Sequence, residues 1–394
     1  MANIAPRVEQ ASALMRNFAE RTGVGSRGPQ KRYLWTDAFA VCNFLALAGA
    51  TRDSRQVELA RELVDGVHHT LGRFRSGEAR SGWISGLDEV EGERHPTRGG
   101  LRIGKPMPER GVHEVFDEDL EWERDGQYFH YLTKWMHALD QFARAQREAR
   151  YNFWARELAA AALRGFGASR GVGSRRGIVW KMSVDLSRPL VPAMGAHDPL
   201  DGFTTFAELR ATAQKLPSFG DVSNGLTLER ESRDLFAMLE ESSWATPDPL
   251  GIGGLLMDCA RLAQLAPAVA REASTPAPSE FDVSELADRV LAEAVAGLRS
   301  YAAREPLVRP GWQRLAFREL GLAIGLAGLR YLKGVKRSLL STAERFVPLG
   351  ESIVAFWADS GQHQAASWTE HRDINEVMLA TSLLPDGFLE LSMS

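Results

Sequence analysis

Aromatic rings and carboxylates gather at a few short stretches of this chain. Trp35-Thr36-Asp37, Asp125-Gly126-Gln127-Tyr128-Phe129-His130 and His197-Asp198-Pro199-Leu200-Asp201 are three of them. Asp248-Pro249, Trp312-Gln313-Arg314 with Arg318-Glu319, and Trp368-Thr369-Glu370-His371-Arg372-Asp373 with Glu376 are the others. Flat rings stack on the apolar face of a sugar, while acids bind its hydroxyls or move protons, so these residue types together suit a carbohydrate. His371-x-Asp373 with His197 offers a different proton-transfer set, since imidazole titrates near neutral pH.

Each stretch also has a purely structural use. Asp198-Pro199 and Asp248-Pro249 fit an N-cap followed by proline in the first turn; capping suffices for Asp248, whereas Asp198 has His197 before it and Asp201 after. Ser367-Trp-Thr-Glu370 has the capping-box spacing, and Asp37 and Asp125 also stand where caps stand. His130 and His137 share a helix face, but HExxH is missing and no metal is expected. GIGGLL at 251–256 lacks the GxGxxG and Walker spacings and reads as close helix packing. No GxSxG elbow supplies a nucleophile.

The elements that position these residues are helical nearly throughout. Apolar residues at three-to-four spacing predict helices near 7–21, 35–50, 53–74, 125–146, 148–166, 200–212, 227–241, 249–265, 283–301, 312–331, 337–359 and 368–384. Those starting at Trp35, Pro249, Trp312 and Trp368 are apolar on most sides, and those starting at Asp53, Thr227, Val283 and Arg337 carry a charged face. A helix apolar all round is buried and a striped one lies on the surface. Alternation of the two over six pairs predicts an all-α (α/α)6 toroid of six helical hairpins, one domain spanning 1–394. In such a toroid the inner helices open onto a cavity with unpaired N–H groups, which is where the stretches above fall.

Two regions break the pattern. Residues 73–124 form a Gly-, Arg- and Glu-rich insertion in which GWISGL and GGLRIG predict short strands, placed over the cavity mouth. Residues 167–199 hold a predicted strand, IVWKMSVDL. The 394 residues, 44% hydrophobic and 25% charged, are ordinary globular composition, which excludes a disordered chain. A net charge of −4 advertises no nucleic acid. Of the 47 basic residues 40 are Arg, chiefly a compositional bias, with planar recognition of carboxylate or phosphate a secondary implication. Cys42 and Cys259 lie in apolar stretches as small hydrophobes. No secretory signal and no uncharged apolar run of about 18 residues is present, so a cytoplasmic protein without a membrane span is expected. No organic cofactor is called for, and the residues specify no oligomeric state.

On RYLWTDAFA at 32–40, DGQYFHYLTKWMHALD at 125–140 and WTEHRDINE at 368–376, the sequence resembles the six-hairpin glycosidase-like superfamily. That group includes glycoside hydrolases, unsaturated glucuronyl hydrolases and the N-acylglucosamine 2-epimerase group. The resemblance implies a carbohydrate-active enzyme, with inverting hydrolysis by a carboxylic acid and a water-activating carboxylate about 6.5–9.5 Å apart as the commonest mechanism. The implied pair is Asp125 with Glu370 or Asp373, Asp201 being the substitute. Trp35, Tyr128 and Trp368 would stack sugars; Asp37, His130, His197, His371 and Arg372 would bind hydroxyls or an acidic group; Trp83 would reach in from the insertion. On this reading Asp125→Asn abolishes turnover and leaves the melting temperature nearly unchanged. The alternatives are a sugar isomerase or epimerase using His197 and His371, a lyase using Tyr128, and a non-catalytic sugar-binding or scaffold protein.

Overall fold

The computed structural model describes residues 4–26, 28, 30–169, 176–216, 225–240, 242–272 and 282–392. Its first helices are α1 (Ile4–Thr22), α2 (Leu34–Thr51), α3 (Ser54–Leu71), α4 (Glu89–Arg94), α5 (Glu118–Glu123), α6 (Phe129–Gln146), α7 (Ala149–Phe166), α8 (Asp198–Ala213) and α9 (Glu229–Ala237). They are followed by α10 (Pro249–Glu272), α11 (Val283–Ala302), α12 (Ala316–Ala327), α13 (Arg337–Glu344), α14 (Val347–Ala358), α15 (Ala366–Thr369), α16 (Arg372–Leu383) and α17 (Asp386–Leu389). The strands are β1 (Gln127–Tyr128), β2 (Gly167–Ser169), β3 (Arg176–Met182) and β4 (Pro189–Met194).

Differences from the periodicity have local causes. The helix expected over 337–359 is two, because Pro348 stands in the first turn of α14, where a missing N–H costs nothing. The helix expected from Trp312 starts at Ala316, and Trp312 sits exposed in a single 3-10 turn. The short strands expected within 73–124 are absent among the described residues, which show only isolated bridges, Arg73 with Trp83 and Met107 with Arg124. Left-handed glycines turn the backbone there: a Cβ on Gly100 (φ 82°) or on Gly104 (φ 93°) would collide with the Gln127 amide or the Arg32 carbonyl oxygen. Gln127 itself accepts the Leu101 N–H at 2.9 Å, doing with a side chain what a partner strand would do.

The chain divides into two compact units. The first comprises Met1–Arg21, Cys42–Val57 and Ser242–Met393; the second, Thr22–Val41 and Glu58–Glu241. In the first, α10 packs on α11 and α12, and α12 on α14 and α16. Glycines set the α10–α12 crossing: a Cβ on Gly253 would lie 2.3 Å from the Gly321 carbonyl oxygen, and one on Gly325 2.6 Å from that of Gly253. GIGGLL is thus a backbone-to-backbone contact. The end of α2 is tied to α16, where Asn43 donates to the Val377 carbonyl (3.0 Å) and accepts from the Thr381 hydroxyl (2.9 Å).

In the second unit α6 packs on α7 and α8, and α7 on α8. Their shared interior holds charges rather than only hydrocarbon. Arg144 bonds Asp140, Glu208 (2.9 Å) and Thr212 (3.1 Å); His137 lies 2.9 Å from Glu208; and Asn152 donates to Asp140 at 2.7 Å. Burial is the largest influence on Asp140, and with Glu208 nearby it raises the carboxyl pKa to about 7 against the pull of Arg144. The strands form a small sheet in which β1, β2 and β4 each pair antiparallel with β3.

Two helices, Leu34–Thr51 and Pro249–Val269, are long and apolar enough to cross a bilayer, and both are mostly buried, as core helices are. Cys42 and Cys259 are buried free thiols.

Candidate active site

The register of the sheet builds an aromatic strip in the second unit. Tyr128 pairs across the ladder with Lys181, which brings Trp180 within 5.4 Å of the Tyr128 ring. Tyr131, one turn into α6, lies 5.1 Å from Tyr128 and shares a 2.8 Å hydroxyl–hydroxyl bond with Tyr33. Trp122, exposed at the end of α5, meets Trp180 edge-on at 5.0 Å. Tyr128 itself is 3% exposed, and burial raises its pKa above the ordinary phenol range. Lys181 reaches back under the strip, its ammonium bonded to Glu121 (2.9 Å) and to the Arg124 carbonyl (2.9 Å).

The first turn of α8 supplies the chemistry beside this strip. The helix is capped by His197 without a side-chain bond, and Asp198 and Pro199 open it. Asp198 therefore is not the cap that its Asp-Pro pattern suggests. Its carboxyl is 5% exposed, and Oδ2 is buried without a hydrogen-bond partner. Gly195 makes room for it, since a Cβ there would come 2.0 Å from Oδ2. Burial first, and then the negative charge of Asp201, push the Asp198 pKa up to about 8, against a smaller opposing pull from Lys134. Asp201, a turn further on, is held by the Lys134 ammonium at 2.7 Å and by the Thr133 hydroxyl. His130 stacks on Tyr128 at 5.4 Å with Nδ1 3.6 Å from Asp198 Oδ1. Desolvation, then Lys134, pushes its pKa down to about 4, so the ring is neutral at pH 7. A carboxyl that keeps its proton at pH 7, beside a lysine-paired carboxylate and aromatic rings, has the chemistry to donate a proton to a bound ligand.

No protein-family model matches this chain, and no curated protein matches it by sequence. Among solved structures, the GH76A alpha-1,6-mannanase of Salegentibacter sp. HEL1_6 matches with a TM-score of 0.51 at 12% identity, covering 98% of this chain and 100% of that one. The two share a fold, the (α/α)6 toroid of helical hairpins. An inactive, doubly substituted variant of that mannanase, in complex with alpha-1,6-mannotriose, matches with a TM-score of 0.49 at 11% identity over the same shares. At such identity the likeness is one of fold.

Within this six-hairpin fold the residues expected from the sequence have varied surroundings. In the second unit, both oxygens of Asp125 are occupied: Oδ1 accepts the Gly104 and Gly126 N–H groups (3.0 and 3.1 Å) and Oδ2 the buried Arg102 guanidinium. It ties the insertion to the start of β1. Asp125→Asn leaves Arg102 buried without its counter-charge, and the expected outcome is a loss of about 3–5 kcal/mol in denaturant unfolding, not an unchanged melting temperature. An unfolding midpoint equal to that of the wild type would refute this role. Asp37 accepts the Tyr33 N–H at 2.9 Å and serves the start of α2. Trp35 is buried against Phe39, and Trp83 is 2% exposed under Gly92 and beside Arg73, so neither ring offers a free face.

In the first unit, Trp368 is buried with its faces taken by His363 at 3.8 Å and Trp357 at 5.8 Å. Ser367 donates to the Gly311 carbonyl instead of capping, so the Ser367–Glu370 box does not form, and Glu370 is exposed. Asp373 and Glu376 both pair with Arg21, at 3.0 and 2.5 Å. His371 caps α16 and meets Phe317 edge-on; Arg372 is exposed. Asp248 caps α10 through the Gly251 N–H at 2.9 Å, as expected. Sequence reading missed Asp198 as an acid, and Trp180, Tyr33, Tyr131 and Lys134 altogether. Among the described residues no three His, Cys, Asp or Glu side chains come together as a metal site would need.

Proposed function

We propose that this chain is a glycoside hydrolase with Asp198 as its proton donor. The carrying observation is a carboxyl buried at the start of α8, one oxygen unpartnered, its pKa raised to about 8. At pH 7 it holds a proton that it can give to a glycosidic oxygen as the bond to the anomeric carbon breaks. Asp201, paired with Lys134, stabilises the positive charge that develops on the sugar ring, and the half-buried Tyr131 and Trp180, which pack against Tyr128, stack the ring itself. His130 is 3.6 Å from Asp198, a contact that shortens as the substrate arrives.

Inversion calls for a second carboxylate about 6.5–9.5 Å from the acid to activate water. Asp201 is one helical turn away, with both oxygens engaged, and does not suit that task. The test is proton NMR of the anomeric region during incubation with oligosaccharides, starting with alpha-1,6-linked mannose oligomers because the structurally similar enzyme is an alpha-1,6-mannanase. New reducing-end signals are expected, and the first anomer to appear assigns inversion or retention. Conversion of a free sugar without cleavage would overturn the hydrolase reading in favour of an isomerase.

A further inference from the structure

We infer that a separate pocket in the first unit, of about 390 Å³ at the starts of α10 and α12, binds a small oxyanion, a carboxylate or a phosphate. Arg304, Arg309, Arg314 and Arg318 line it, against two carboxylates, Asp248 and Glu319. Both carboxylates are already spent. Glu319 receives Arg314 through Nε (2.9 Å) and Nη2 (2.7 Å), Trp357 Nε1 (2.8 Å) and the Tyr301 hydroxyl (3.3 Å). Asp248 caps α10 and takes Arg318 Nη1 at 2.7 Å.

What remains is donors without acceptors. Arg314 is 3% exposed, its plane fixed over the Phe356 ring at 4.0 Å, and its Nη1 is buried with no hydrogen-bond partner. Arg318 Nε is buried and unpartnered too. Buried donors are ordinarily satisfied, and each one that is not is costly. Two of them in one pocket, with exposed Arg304 and Arg309 adding charge at its edge, are what an oxyanion with several acceptor lone pairs would complete. Guanidinium groups match carboxylate and phosphate oxygens in plane and charge. An uncharged sugar would leave that positive excess uncompensated. The inference does not depend on Asp198, which lies in the other unit, and survives if no glycoside is cleaved.

The test is isothermal titration calorimetry of the full chain with sodium phosphate, with sodium glucuronate and with methyl glucoside, ionic strength being matched with sodium chloride. Saturable binding of an anion and none of the neutral glycoside are expected. Phosphate binding more tightly assigns a phosphoryl ligand, and glucuronate binding more tightly a carboxylate-bearing sugar. Arg314→Gln strands Glu319 and would disturb folding, so Arg318→Gln and Arg309→Ala carry the test. Each is expected to weaken binding about tenfold or more while leaving the unliganded melting temperature close to that of the wild type. Failure of both anions to bind, or binding that neither substitution weakens, overturns the inference.

Discussion

If Asp198 is the proposed proton donor, Asp198→Asn is expected to lower glycoside turnover by a factor of about 10²–10⁴ without lowering the melting temperature. Asparagine keeps the shape of the protonated acid and loses only its proton, so what falls is the donation step. Because burial raises the Asp198 pKa from the carboxylate range to about 8, the fold favours the protonated form. That stability is fully present below about pH 4 and is lost as pH rises through about 8. Asparagine has no proton to lose, so the variant gains on the wild type over this window by about 1.4 kcal/mol for each unit of displacement. On the proposed role, the wild-type kcat/KM is expected to fall above about pH 8 as the acid ionises. Retained turnover, or a variant destabilised equally at every pH, would remove Asp198 from the proposed role.

Arg144→Met costs about 3–5 kcal/mol. The guanidinium bonds both Asp140 and Glu208, which are fully buried. Removing it leaves two buried carboxyls without the cation that bonds them both. The loss depends on pH in a definite direction. Asp140 already titrates at about 7, so its stabilising contribution is present at low pH and lost as pH rises through that value. Without Arg144 the carboxyl holds its proton more tightly still, and the deficit is larger at about pH 8 than at about pH 5. Urea unfolding at the two pH values measures it; a loss below about 1 kcal/mol at both would mean that the charges are solvated in a way the geometry does not allow.

Much of the helical plan was legible because burial imposes periodicity. The apolar α2, α10, α12 and α16 could be told from their striped neighbours by composition, and Pro348 in the first turn of α14 marked a break that the apolar pattern overran. The site was legible only in part. His130, Tyr128 and Asp201 stand together as residue types suggested, but Trp180 joins them only through the β1–β3 register, across some fifty residues. Asp198 was ambiguous for a physical reason: an N-cap and a buried acid have the same letters before proline. They differ in whether the side chain turns back to its own helix or inward past Gly195. Asp125 shows the reverse case, an acid expected at a helix start that lies instead just before β1, its lone pairs consumed by main-chain N–H groups and Arg102.

The glycine contact between α10 and α12 bears on more than packing. At Gly253 and Gly325 peptide groups lie against each other, so at that point the crossing of the two helices is set by main chain and not by a side-chain rotamer. The placement of the main chain that carries Asp248 and Arg318 is thereby set by the contact of α10 with α12. A ligand docking there meets a backbone and an Arg314 plane already arranged by folding, so the ordering left to the encounter is that of the exposed Arg304 and Arg309 and the half-buried Arg318 side chains.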